Sequence, residues 1–281
     1  MNGFFNINKP KGMTSSQVVG KVKFLLGKKA KVGHMGTLDP LASGVLPIAV
    51  GRATRLFDFL LQKKKTYIAT FQFGIHTDTL DSTGTTLDTS NVIPTIDQIT
   101  SVLPQFLGVN QQIPPAYSAK SINGKRAYDL ARQGQEVELK PCTIQIFDIQ
   151  VQRQLAHDTF QFLITCSAGT YIRSIARDLG TALGTFATMT ELIRTQSGQF
   201  QIQDAIFLDD FDAAQLLPVD FVLTSLPRLD ITEQQLQTLL NGKKFTITGV
   251  DNALYTIYCD NSIQCLCQFT DGVAKPTVWL R

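Results

Sequence analysis

Apolar and polar positions alternate most regularly from Tyr67 to Phe73. Tyr67, Ala69, Phe71 and Phe73 fall on one face and Ile68, Thr70 and Gln72 on the other, a period of two that predicts a strand. Similar stretches predict strands at residues 3–7, 144–151, 160–166 and 186–195, and the apolar run Val45–Val50 reads as a buried strand. Helical spacing runs through Val18, Val19, Val22, Phe24, Leu25 and Leu26 behind the capping residues Thr14, Ser15 and Ser16. Further helices are expected from Ala53 to Leu61, from a cap at Thr95 to about Phe106, and through Ile175, Ala176, Leu179 and Leu183. Ile113–Lys120 reads as an extended arm and Asn123-Gly124 as a hairpin turn, after which Lys125, Arg126 and Tyr128 start a short helix ending at Gly134. Residues 75–94 are polar and turn-rich and read as a mobile surface loop; the spacing of Asp78, Asp81 and Asp88 fits no EF-hand. A connector, 204–227, leads to a capping box at Thr232-Glu233-Gln234-Gln235 and short strands at 244–248, 253–259 and 263–269. This last part has the size of a small appended β-rich module.

The composition changes that picture little: 281 residues, 43% hydrophobic and 17% charged, describe an ordinary globular chain. No apolar run approaches the ~20 residues of a membrane span, and the first seven residues are too polar for a secretory signal, so a cytoplasmic protein is expected. Five cysteines without a Cys-x-x-Cys indicate buried free thiols, not a zinc ribbon or a disulfide framework. Cys265 and Cys267, two apart in a strand, point to one face. His34, His76 and His157 are too scattered for a local metal motif, and no metal is expected.

Charge alters the reading more. Residues 1–65 carry twelve basic groups against Asp39 and Asp58, a charge of +10; with +3 for the whole chain, residues 66–281 carry −7. Such asymmetry favours a polyanionic partner, RNA or DNA, although a solvated lysine face is the commoner meaning of a short lysine run. The first acid in the chain, Asp39, lies in Gly33-His34-Met35-Gly36-Thr37-Leu38-Asp39-Pro40-Leu41-Ala42-Ser43-Gly44-Val45-Leu46-Pro47. Its glycines and prolines forbid a long helix, and Pro40 pushes Asp39 toward an extended backbone. A carboxylate on a stiff loop can face a cleft, although the same residues also serve ordinary turns. Phosphate-binding glycine loops, the Gly-x-Ser-x-Gly elbow and the deaminase zinc motif are all missing from the sequence. An active site here relies on one carboxylate and no cofactor.

Several blocks taken together resemble the TruB family of tRNA pseudouridine synthases. They are Ile7-Asn8-Lys9-Pro10-Lys11-Gly12-Met13-Thr14-Ser15, the Gly33–Pro47 stretch, Lys65-Thr66-Tyr67, Pro114-Pro115-Ala116-Tyr117-Ser118-Ala119, Gly124-Lys125-Arg126-Ala127-Tyr128, and Gly169-Thr170-Tyr171-Ile172-Arg173-Ser174 with Ala176-Arg177-Asp178-Leu179-Gly180. The resemblance implies an α+β pseudouridine synthase fold: a mixed, mostly antiparallel central sheet with flanking helices in a catalytic domain over residues 1–227. A PUA-like RNA-binding module over 228–281 follows. It implies isomerisation of the T-loop uridine of tRNA, position 55, to pseudouridine by a monomer, after the base has been flipped out of its stack. By family motif, Asp39 is the catalytic carboxylate, adding covalently to the nucleoside or taking a sugar proton. Tyr67 matches the tyrosine that stacks on the flipped base, Tyr171 a second pocket tyrosine, Arg173 the arginine that pairs with the carboxylate, Leu192 an apolar contact to uracil, and His34 a histidine against the T-loop. Lys11, Lys125 and Arg126 are either RNA contacts or solvated charge. The alternatives to this reading are an RNA-binding protein without catalysis and a synthase acting on another RNA.

Overall fold

The computed structural model describes residues 1–118, 121–122, 125–126 and 139–281. Its strands, in chain order, are β1 (Gly3–Lys9), β2 (Val32–His34), β3 (Ser43–Val50), β4 (Lys65–Phe73), β5 (Ile75–Thr77), β6 (Thr86–Thr89), β7 (Gly108–Gln112), β8 (Ser121–Ile122), β9 (Lys125–Arg126), β10 (Cys142–Ala156), β11 (Thr159–Cys166), β12 (Ala187–Ser197), β13 (Phe200–Gln201), β14 (Ile206–Phe207), β15 (Arg228–Asp230), β16 (Leu254–Cys259), β17 (Ser262–Thr270) and β18 (Val273–Trp279). The main sheet runs β14-β1-β3-β12-β4-β11-β10-β7, with β2 added on β3 and β13 on β12. Among the described residues its parallel pairs are β1–β14 and β3–β12, and the remaining pairs are antiparallel. The chain is therefore α+β with a mixed, mostly antiparallel sheet.

Both faces of this sheet are covered, which explains the continuous burial of residues 3–7 in β1 and 44–50 in β3. Phe5 and Ile7 of β1 and Leu46, Ile48 and Val50 of β3 enter one core, together with Val18 and Val22 of the helix Ser15–Leu26 and Ile175 and Leu179 of the helix Ile172–Ala182. Phe4, Val45 and Ala49 point the other way into a second core. The Ser15–Leu26 helix starts at a reciprocal capping box, Thr14 with Gln17, and the helix Ile96–Val102 repeats the device with Thr95 and Gln98. Gly180 lets the Ile172–Ala182 helix approach β12 closely, because a Cβ there would collide with the backbone of Ala187.

The four strands β15-β16-β17-β18 form a separate sheet, packed with the helix Glu233–Leu240 that Thr232 and Gln235 cap. Cys265 and Cys267 point into its own core, whereas Leu266 between them joins Val219, Val222 and Leu223 in the second core of the main body. One strand thus glues the small sheet to the large part by simple alternation. All five cysteines are free, four of them buried. No described helix is long and apolar enough to cross a membrane.

Several sequence expectations need correction. Residues 244–248 form no strand; Thr246 makes an isolated bridge to Val273, and the outer strand is Val273–Trp279. Pro276 obscured that strand, yet it is tolerated because β18 is an edge. The expected helix Ala53–Leu61 divides into a tight 3-10 stretch, Gly51–Leu56, and one α-turn and a half, Phe57–Leu61. Lys125 and Arg126 do not open a helix: they pair antiparallel with Ile122 and Ser121. Asn123, Gly124 and the remainder of the expected helix to Gly134 lie outside the described residues. Residues 75–94 are not a plain surface loop. They contain the β5–β6 hairpin and bury Thr77, Leu80 and Asp81, and the chain is tied to β12 by Met189 N–H to Leu80 O at 3.1 Å and Ser82 N–H to Met189 O at 2.9 Å.

Candidate active site

The Asp39 loop links β2 to β3 and is fastened along its length. Met35, Leu38 and Leu41 are buried anchors. The Ser15 hydroxyl accepts from Leu38 N–H at 2.9 Å and donates to Leu38 O at 3.0 Å, so the first turn of a helix clamps the residue before Asp39. Gly12 N–H donates to Pro40 O at 2.7 Å on the other side. Gly36 has φ +130°, which an L side chain rarely adopts and which turns the chain into the loop. With its neighbours held inward, Asp39 is left with its side chain 35% exposed.

That carboxylate meets Arg173 from the start of the Ile172–Ala182 helix: Asp39 Oδ2 lies 2.9 Å from Arg173 Nη2. The guanidinium is buried, and both of its Nη atoms are engaged. It donates to Thr79 O at 2.9 Å and Tyr117 O at 3.0 Å, and its Nη1 lies 3.6 Å from Asp81 Oδ2. Asp81 is itself buried and accepts from the Thr79 and Thr83 hydroxyls and from Thr83 N–H. Arg173 is therefore bracketed by a buried carboxylate behind and a half-exposed one in front. A merely surface ion pair is excluded at this position, and such a buried bridge orients both partners.

Both residues line a cavity of about 350 Å³, together with Tyr67, Lys65, Tyr171, Leu192 and Arg194. Tyr67 comes from β4 and lies opposite Arg194 of β12; Leu192 is two residues earlier on the same face. Burial pushes the Tyr67 phenol up to about 12, against the opposing influence of the Arg194 charge, so it stays a neutral ring and hydroxyl at pH 7. Tyr171 precedes the helix, and its peptide is gripped by Gln112: its N–H donates to Oε1 at 2.9 Å and its carbonyl accepts from Nε2 at 3.1 Å. Burial raises its phenol as well.

The structure thus brings Asp39, Tyr67, Tyr171, Arg173 and Leu192 to one cavity from a loop, two strands and a helix start. His34 does not line it. This residue is half-buried on β2 opposite Ile48, its Nδ1 is buried without a partner, and burial followed by the Arg194 charge lowers its pKa. Lys11 is exposed in the turn before the Ser15–Leu26 helix, next to Gly12, which bonds Pro40. The side chains of Lys125 and Arg126 lie outside the described residues. Among the described residues, one group of side chains is close enough to share a metal, Glu233, Cys259 and Asp260; it belongs to the small sheet and none of its members lines this cavity.

Four buried charges escaped the sequence reading: Lys9, which donates to Pro10 O and Met13 O, and Asp81, Lys65 and Arg194. Asp81 was hidden by the polar composition of its segment. Lys65 lay in a lysine run, yet is 5% exposed and donates to Leu61 O and Lys63 O, both at 3.0 Å. Burial, then the Arg194 charge, lowers it to about 8. Arg194 carried a readable signal, since alternation in β12 places it on the face of Leu192.

Comparison with known proteins places the chain in a family. The family model described as TruB family pseudouridylate synthase (N terminal domain) matches residues 23–172, and that of the tRNA pseudouridylate synthase B C-terminal domain matches residues 173–228. The chain is 41% identical over 272 residues to tRNA pseudouridine synthase B of Clostridium kluyveri, covering 93% of each chain. It is 42% identical over 289 residues to the Acaryochloris marina protein of the same name, covering 100% of this chain and 99% of that one. Among solved structures, a Cbf5-Nop10-Gar1 complex contains a chain that superposes with TM-score 0.73 at 27% identity, over 98% of this chain and 83% of that one.

Proposed function

The chain belongs to the TruB family of pseudouridylate synthases, and from that membership we propose that it isomerises the T-loop uridine of tRNA, position 55, to pseudouridine with Asp39 as its catalytic carboxylate. The observation that carries the site assignment is the 2.9 Å pair of Asp39 with Arg173 at a cavity that two tyrosines also line. The guanidinium orients the carboxylate that would add to the nucleoside or take a sugar proton. The N1–C1′ bond breaks, the uracil turns over within the cavity, and C5 bonds to C1′. The C5 proton is lost and N1 gains one, so substrate and product are isomers and no electrons leave the pair.

A uridine must leave its stack to reach Asp39, and Tyr67 and Tyr171 offer aromatic surface in place of the lost neighbours. Leu192 supplies an apolar contact to the ring. His34 and Lys11 flank the Asp39 loop and are assigned to the T-arm around the flipped nucleotide, with Lys125 and Arg126 as further contacts. The +10 charge of residues 1–65 supports a polyanionic substrate. Residues 1–227 act as the catalytic domain and 228–281 as a PUA-like RNA-binding module in a cytoplasmic monomer.

The test is Asp39→Asn, with pseudouridine in tRNA and tRNA affinity measured separately. Product should disappear while affinity stays within about threefold, because the amide keeps the shape but cannot act as carboxylate. A variant that forms pseudouridine at the normal rate removes Asp39 from the chemistry. Wild-type protein that binds tRNA without forming product favours an RNA-binding role instead, and product in ribosomal RNA but not tRNA changes the substrate.

A further inference from the structure

Arg194 is 1% exposed, and no carboxylate pairs with it among the described residues. Burying a guanidinium is unfavourable unless its hydrogens are used. Here they are used on main-chain carbonyls: Nε donates to Val45 O at 2.7 Å, Nη2 to Gly36 O at 3.2 Å and Nη1 to Thr37 O at 3.3 Å. Gly36 and Thr37 are the residues by which the chain climbs to Asp39. Val45 belongs to β3, where the same chain comes down again. One planar fork therefore ties both limbs of the Asp39 loop to β12. The strand below is held tightly, since a Cβ at Gly44 would collide with the Arg194 main chain. Tyr67, opposite Arg194 across the β4–β12 ladder, also feels its charge.

We propose that Arg194 is a positioning residue of the reaction: it sets the height of Asp39 above the cavity through the Gly36 and Thr37 carbonyls and does not bind the RNA. The proposal rests on the synthase reading above and adds a residue outside the Asp39–Arg173 pair. A fork with three fixed directions specifies the loop; an ammonium on a flexible stem reaches only part of the carbonyl set, and a neutral chain reaches none of it.

The experiment compares wild type, Arg194→Lys and Arg194→Met on full-length protein and tRNA, by single-turnover pseudouridine formation, tRNA dissociation constant and amide hydrogen exchange over residues 35–42. Arg194→Lys should react about tenfold more slowly and Arg194→Met about 100-fold more slowly, since small displacements of a reacting group cost that much. The dissociation constants should stay within about threefold, and exchange of the loop amides should rise in the same order. If Arg194→Met does not fold, Arg194→Lys decides alone. A wild-type rate for Arg194→Lys overturns the proposal. A slower rate matched by an equal loss of tRNA affinity overturns it too, making Arg194 an RNA contact, and so does a slower rate with unchanged loop exchange. Absence of product from wild type is a different failure, that of the function itself, and the exchange measurement still reads the loop.

Discussion

Arg173 and Arg194 line the same cavity, both almost fully buried, and are held in opposite ways. Arg173 lies between Asp39 and Asp81 and adds two carbonyls. Arg194 donates to three main-chain carbonyls and, among the described residues, pairs with no carboxylate. The consequence is visible in the neighbours. The Arg194 charge adds to burial in lowering Lys9, Lys65 and His34, and Arg173 contributes to none of these three shifts. One wall of the cavity is built on ion pairs; the other fixes backbone. Replacing the two arginines should therefore have different signatures.

The largest effect is expected at Arg173→Met. Asp81 keeps its hydroxyl and amide donors but loses its cation while 5% exposed, and Asp39 loses the group that aims it. Breaking a buried bridge from one side costs ~3–5 kcal/mol, and misaimed reacting groups lose ~10²-fold in rate. Denaturant unfolding and single-turnover assays should register both losses. Replacing Asp81 by Asn in the same protein should recover part of the stability without the rate, because the amide tolerates burial without a cation but does nothing for Asp39. A variant whose stability is unchanged would mean that Arg173 and Arg194 are not held differently after all.

A smaller effect separates the two tyrosines that accompany these walls. Tyr171 is half-buried at the Arg173 side and Tyr67 is packed against Arg194. Tyr171→Leu keeps apolar bulk and removes the ring. Losing one stacking surface costs ~1–3 kcal/mol, read as a fall of roughly 5- to 150-fold in kcat/KM with little change in unfolding. Tyr67→Leu should lower stability as well as kcat/KM, because its ring belongs to the core that includes Ile164 and Leu192. Equal stability losses for the two would erase the contrast.

What the sequence made legible follows the same division. Asp39, Tyr67, Tyr171 and Arg173 sit in compact motif blocks, and the elements that carry them were visible as alternation or caps. Their meeting at one cavity depends on pairings such as β12 with both β3 and β4, which no local pattern announces. Asp81 was out of reach because residues 75–94 show no regular apolar pattern; bonds to Met189 and from Arg173 and Thr188 draw that segment inward. The edge strand β7, Gly-Val-Asn-Gln-Gln, was missed because its exposed side carries Val109 and its buried end is Gln112, which spends its amide on Tyr171. Polar residues that are buried for a partner distant in the chain invert the pattern from which burial is read.

The smallest effect tests the charge of Arg194 directly. Lys65 is lowered to about 8 by burial and then by Arg194, from 10.5. Below pH 8 the lysine is charged in both folded and unfolded chains, and its buried charge counts fully against folding. Between pH 8 and 10.5 the folded protein has released that proton while the unfolded chain retains it, so stability rises with pH, by at most ~1.4 kcal/mol per pH unit for one group. Lys65→Met lacks this gain, and the difference between wild type and variant, measured by urea unfolding at successive pH values, isolates it even though Lys9 titrates in the same direction. Repeating the pair in Arg194→Met should raise the pH at which the gain begins, because a repelling charge has gone. Repeating it in Arg173→Met should leave the onset where it was, since Arg173 does not contribute to the lowering of Lys65. An onset that moves equally in both backgrounds would show that the two arginines share one field, and the distinction between the walls would then lie in geometry alone.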